Sequence, residues 1–168
     1  MGINESLLIE LDHQSATTRR VLERVPEDKL DWKPHEKSMT MGRLATHLAE
    51  LPGWGELVLT ESEFDVEPLG GSDYEPVQAE SVSQILETFD ANVAKVRGII
   101  AGMSDEEFMQ PWTMKKAGEE VFTAPRIGVI RDAIFHHAAH HRGQLTVYLR
   151  LNDVPVPSTF GPTADEPM

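Results

Sequence analysis

The sequence predicts an all-α chain: one four-helix bundle spanning residues 1–168, with a short irregular or hairpin excursion before the last helix. Two observations carry this reading. Four long segments repeat apolar residues at helical spacing. The stretches between them hold the prolines, glycines and capping residues that start and stop helices. No segment alternates strongly enough to compete as a strand, and four amphipathic helices bury their stripes most simply in a bundle.

The first helix is INESLLIELDHQSATTRRVLERV, with Leu7, Leu8, Leu11, Val21, Leu22 and Val25 inward and Pro26 at its end. PEDKLDWKPHEKS is a polar connector whose Leu30 and Trp32 are expected to dock on the bundle. The second helix is TMGRLATHLAELPGWGELVLTES, N-capped by Ser38 or Thr40. Leu44, Leu48, Leu51, Gly55 and Val58 form its inner face, and Pro52 with Gly53 predicts a kink or break near Leu51. Residues 62–79 read as a solvated loop rich in Gly, Pro and acid.

Ser81 and Gln84 have capping-box spacing and open the third helix, whose Ile85, Leu86, Phe89, Val93, Val96, Ile99 and Ile100 face inward. A second box, Ser104 to Glu107, starts a short helical turn. PWTMKKAGEEVFTAP reads as a small hairpin or irregular excursion turning at KAGEE. The fourth helix runs from about Pro125 to Leu151, and a proline-rich tail follows. Up-down and crossover connections both fit the connector lengths.

The charge balance, 15 Lys and Arg against 28 Asp and Glu, excludes general nucleic-acid binding, which needs a basic surface. It equally disfavours anionic membranes. There is no cysteine, which rules out a disulfide, a cysteine nucleophile and a thiolate metal site. MGINESLLIELDHQ lacks the basic region and apolar core of a signal peptide, and no apolar run reaches transmembrane length. The expected location is the cytoplasm.

The chemistry concentrates in DAIFHHAAHHRGQL, which holds His136, His137, His140 and His141. Each residue advances about 100° around a helix. With Ile134 as zero, Ile127, Ile130, Ala138, Leu145 and Tyr148 lie within about 40° and form the buried stripe. His141 falls about 20° from its centre and His137 about 60°, whereas His136 and His140 lie about 160° and 120° away. His47 of the second helix stands about 60° from Leu44, within the inner stripe.

Three inward imidazoles need hydrogen-bond partners or a metal. An H-x3-H pair on a helix presents two ligands to one cation, and a third imidazole from another helix completes an open site of the catalytic kind. Satisfied core histidines or a crowded surface are the bland alternatives. His13 beside Asp12, His35 in its connector and Glu50 read as solvated groups. Trp32, Trp54 and Trp112 read as core and connector packing.

These residues resemble the DinB/YfiT-like superfamily. HHAAHHRGQL is similar to its closing-helix signature, GRLATHLAEL to its second-helix motif, LDWKPHEKSMTMGRLATHL to its lead-in and PSTFGPTADE to its tail. The resemblance places the family's metal triad on His47, His137 and His141, the three chosen by the wheel. His140 matches the signature without being a ligand, and Arg142 and Gln144 are read as bracing the helix or an oligomer contact. It implies a four-helix bundle, often a homodimer, binding Zn or Ni, with Fe or Mn also compatible with three histidines.

It further implies a small-molecule substrate and thiol transfer of the bacillithiol or mycothiol type to small electrophiles. The alternatives are metal-dependent hydrolysis of a small ester, amide or lactone, and non-catalytic metal or ligand binding. Neither nucleic acid nor membrane is expected as a partner. No general acid or base stands out among Asp12, Glu50 and His140.

Overall fold

The computed structural model describes residues 1–71 and 78–167. Helix α1 is Ile3–Leu22, α2 is Met41–Thr60 and α3 is Val82–Gly102. The fourth long helix is continuous but not uniform: α5 (Arg126–Ile130) passes into a π-helical segment, Arg131–His136, and then into α6 (His137–Leu151). The short α4, Asp105–Met109, stands before it.

Local chemistry accounts for these boundaries. The Thr40 hydroxyl accepts from the Arg43 N–H at 3.0 Å, while the Met41 and Gly42 N–H groups reach back to the Trp32 and Leu30 carbonyls. Three of the orphan donors at the start of α2 are thereby satisfied, and the connector is tied down. Trp32 also packs edge-on against Tyr148 of α6. Ser81 caps α3, but Gln84 bonds the Glu80 N–H instead of closing a box. The Ser104–Glu107 box closes fully. Pro52 does not break α2, which runs through to Thr60. The expected break is corrected: burial of Leu51, Pro52, Gly55 and Val58 on one face sustains the helix past its one missing N–H.

The packing order settles the connection left open by the sequence. α2 packs on α3, α3 on α1, α1 on α6, and α6 on α2. Helices α1 and α2, consecutive in the chain, therefore stand on a diagonal of the bundle. The long connector between them, residues 23–40, makes that crossing. Two apolar clusters fill the interior, one around Leu22, Leu44, Leu48, Phe89 and Leu145, the other around Leu11, Val96, Ile100, Phe108 and Ile134.

Gly55 lies where α2 meets α3. A Cβ there would stand 2.5 Å from Val96 Cγ2. Gly55→Ala is expected to destabilise the protein by about 1–3 kcal/mol through overpacking, read as a lower denaturant midpoint with an unchanged slope. An equal or higher midpoint would show that the helices separate freely.

The fold is not purely helical, which corrects the all-α expectation. A three-stranded sheet carries β1 (Glu63–Asp65), β2 (Pro111–Lys116) and β3 (Glu119–Pro125) in the order β1-β2-β3. The β2–β3 hairpin turns at Ala117 and Gly118, both at positive φ, as a two-residue hairpin loop requires. β1 runs parallel to β2 and comes from the predicted loop 62–79. Asp65 explains the pairing: its carboxylate accepts from the Ala117 and Gly118 N–H groups at 3.1 and 2.7 Å. Residues 72–77 of that loop lie outside the described residues. Among the described residues, no helix is long and apolar enough to cross a membrane.

Candidate metal centre

His47 comes from the middle of α2, and His137 and His141 from the first turns of α6. His47 and His141 are each 8% exposed, and His137 is half-buried. Their Nε2 atoms converge: His141 to His137 is 2.8 Å and His47 to His137 is 3.4 Å. His136 and His140 stay exposed, as the wheel requires. The π segment ends just before His137, so the i, i+4 pair lies in regular helix. The wider π turn displaces the stripe before it. Val129, Ile134 and Phe135 are buried, whereas Ile127 and Ala138 are only partly so.

These two separations match those around one cation, and all three ligand atoms lie within 4.8 Å of one another. Nitrogens about 2.1 Å from a zinc-sized ion stand about 3.0 Å apart at right angles and about 3.4 Å apart at the tetrahedral angle. Among the described residues this is the convergent group of three potential metal ligands, and it contains neither acid nor thiol. The three histidines thus form a group suited to a divalent metal ion.

The ring orientations are held from outside. Gln144 Oε1 stands 2.7 Å from His141 Nδ1 and accepts its proton, leaving Nε2 as the ligating atom. The Ala133 backbone, one turn back, hydrogen-bonds His137. Glu50 lies 3.9 Å from His47 Nδ1, too far to accept, and pairs with Arg43 at 3.1 Å. His13 and His35 are exposed and stand outside the cluster.

Burial sets the protonation. It pushes the His47 imidazole down to about 4, with the His141, His137 and Arg43 charges adding to the effect. Burial also lowers His137 and His141, opposed by the Ala133 backbone and by Gln144. All three are neutral near pH 7, the form that binds metal. A depressed folded pKa means that the unfolded chain takes up the proton first. Stability is therefore complete above pH 6.5 and declines as pH falls toward 4. At about 1.4 kcal/mol per pH unit, His47 accounts for on the order of 3 kcal/mol. Metal-free wild type should lose thermal stability between pH 6.5 and 4.5 more steeply than His47→Gln. Parallel curves would contradict the assigned protonation.

Two more residues matter here, one read from the sequence as packing and the other as a brace. Trp54, read as packing, sets its indole against both His47 and His137, with ring centres 5.3 and 5.8 Å away. Arg142, 1% exposed, is one of the largest fully buried side chains. Its guanidinium donates to the Gln14 carbonyl, Gln14 Oε1 and Thr18 Oγ1 of α1 at 3.2, 2.7 and 2.8 Å, and lies over the Phe160 ring of the tail. It braces α6 against α1, one residue from His141.

A cavity of about 830 Å³ opens beside the cluster. Trp54 and Val58 of α2, Trp112 and Met114 of β2, Phe122 of β3 and His137 line it. The sheet therefore forms one wall of a chamber whose other walls belong to the bundle.

Comparison with known proteins agrees with this architecture. A family model described as the DinB superfamily matches residues 10–145. The chain belongs to the DinB superfamily. A crystal structure of a DinB-like protein from Bacillus cereus ATCC 10987 is similar, with a TM-score of 0.69, 21% identity, and coverage of 93% of this chain and 97% of that one. The DinB-like protein YjoA of Bacillus subtilis gives 0.68 at 17% identity, covering 92% and 97%. YfiT from Bacillus subtilis, described as a probable metal-dependent hydrolase with an unusual four-helix bundle topology, gives 0.63 at 16% identity, covering 89% and 87%. No curated protein gives a significant match. At these identities the structural neighbours of this DinB-superfamily chain speak to the fold.

Proposed function

We propose that this DinB-superfamily chain is a metal-dependent enzyme that transfers a low-molecular-weight thiol to small electrophiles. The observation that carries the reading is a three-imidazole cluster, free of acid, facing a cavity in a chain with no cysteine. His47, His137 and His141 would hold the cation, with Zn or Ni the best match to neutral imidazoles and Fe or Mn also suited. When bound, the cation supplies Lewis acidity that lowers the pKa of a thiol or water at its open face.

The chain's own contribution is geometric. Gln144 and Ala133 fix the tautomers of His141 and His137, and burial keeps the rings neutral. Trp54 closes one side of the cluster against water. The thiol S–H proton leaves to solvent, and the sulfur uses that electron pair to bond the electrophilic carbon. The leaving group departs with the electrons of the bond it breaks. No positioned general base is required once the thiol is ionised, in keeping with a cluster that offers none.

The family resemblance supports bacillithiol- or mycothiol-type thiols as co-substrate and a homodimeric assembly. Zinc-loaded protein, incubated with bacillithiol, mycothiol or glutathione and an alkyl or aryl halide, should consume thiol and electrophile in equal amounts. Chelation should stop the reaction. A second reading, hydrolysis of a small ester, amide or lactone, is favoured by the description of YfiT. Chelator-sensitive ester turnover in thiol-free buffer, with no thiol adduct formed, would replace the first reading with the second.

A further inference from the structure

The cavity beside His137 has a composition that says what enters it. Its walls are almost entirely apolar, from Val58 and Trp54 on one side to Trp112, Met114 and Phe122 on the other. Among the described residues, the charged or titratable groups on its lining besides His137 are Asp132 and His136, which stand 3.7 Å apart on exposed side chains. Among the described residues no Lys or Arg lines it, so an anionic group seated against the walls away from the histidines would lose hydration and meet no side-chain cation. At about 830 Å³ it lies in the upper range of cavities that hold drug-sized molecules. A small electrophile alone would leave most of it filled with water against apolar walls. His137 belongs both to the cluster and to the cavity wall, so the two meet at its ring.

We propose that the cavity holds the non-reacting part of the substrate, and that this part is a large uncharged hydrocarbon or aromatic group. The reactive carbon then lies at the His137 end, with the apolar part running toward the sheet. This inference rests on the reading of the histidine cluster as the reaction centre. The sheet thereby acquires a role: Trp112, Met114 and Phe122 select substrates by apolar bulk. β1 contributes Phe64, 40% exposed, to the same lining.

The test is equilibrium binding of n-alkanols from butanol to decanol, followed by intrinsic tryptophan fluorescence, since Trp54 and Trp112 line the cavity. Affinity should rise roughly fourfold per methylene until the chain fills the space, and on metal-free protein octanoate should bind at least tenfold more weakly than octanol. Phe122→Asp and Phe64→Asp, both at partly exposed positions that tolerate polarity, should each weaken octanol binding tenfold or more. Metal stoichiometry, measured on the same samples, should stay at the wild-type value in both. Affinity independent of chain length, preference of the metal-free protein for octanoate, or unchanged octanol binding in both variants would overturn the proposal. Wild-type protein that binds alkanols but takes up no divalent metal would instead overturn the reading of the cluster, so the two failures are distinguishable.

Discussion

His137→Ala is expected to abolish stable metal binding while leaving the fold intact. His137 is the middle member of the cluster, with its Nε2 within 3.4 Å of His47 and 2.8 Å of His141. Removing it leaves two imidazoles, His47 and His141, one on each of two helices. Loss of a supporting hydrogen bond around a metal ligand already lowers affinity about 10–100-fold, so loss of the ligand should lower it by at least the upper figure. The half-buried ring carries little of the core, and the metal-free variant should melt within a few degrees of metal-free wild type. His136→Ala and His140→Ala are the internal controls. Both rings are neighbours in sequence and exposed, and both variants should retain one equivalent of metal. Calorimetric titration with zinc reads all three. Equal affinity in His137→Ala and wild type would remove this residue from the site.

Arg142→Ala is expected to cost about 3 kcal/mol of stability, a large value for a single substitution. The guanidinium makes three hydrogen bonds to α1, and bonds to a charged donor are each worth about 1.5–3 kcal/mol. Truncation leaves Gln14 and Thr18 facing a void and releases Phe160 from its place under the cation. Part of the loss is returned, because burial disfavours the charge. A net loss near 3 kcal/mol lowers the melting midpoint of a chain this size by about 10 °C. Arg142→Lys should recover little, since a point charge cannot serve Gln14 and Thr18 together. Metal affinity should fall as well, by less than in His137→Ala, because His141 loses the brace beside it. A change under 1 kcal/mol would show that α6 is held by its apolar contacts alone.

The two substitutions also show what the sequence makes legible. The helices are readable because each buries one stripe of apolar residues, and the stripe repeats with the helix turn. The cluster is readable because i, i+4 spacing in regular helix fixes which imidazoles share a face. Arg142 is readable only in part: its place in the signature marks it as a brace, but its residue type argues for solvent, and only acceptors on α1, more than a hundred residues away in the chain, make its burial possible. Strand β1 is missed because three residues are too short to carry a pattern, and its pairing depends on Asp65 meeting a turn fifty residues later. Trp54 is seen as apolar bulk in both cases, and only the fold reveals that its bulk faces the histidines. The π segment defeats a wheel drawn at a constant angle, although it ends before the residues that matter.

The central claim is that His47, His137 and His141 share a single cation. X-ray absorption on protein loaded with one equivalent of zinc tests it most directly. The spectrum should report three imidazole nitrogens at about 2.0–2.1 Å with their outer-ring scattering, and a light atom at any further position. A shell built mainly from carboxylate oxygens, with one imidazole or none, would contradict it.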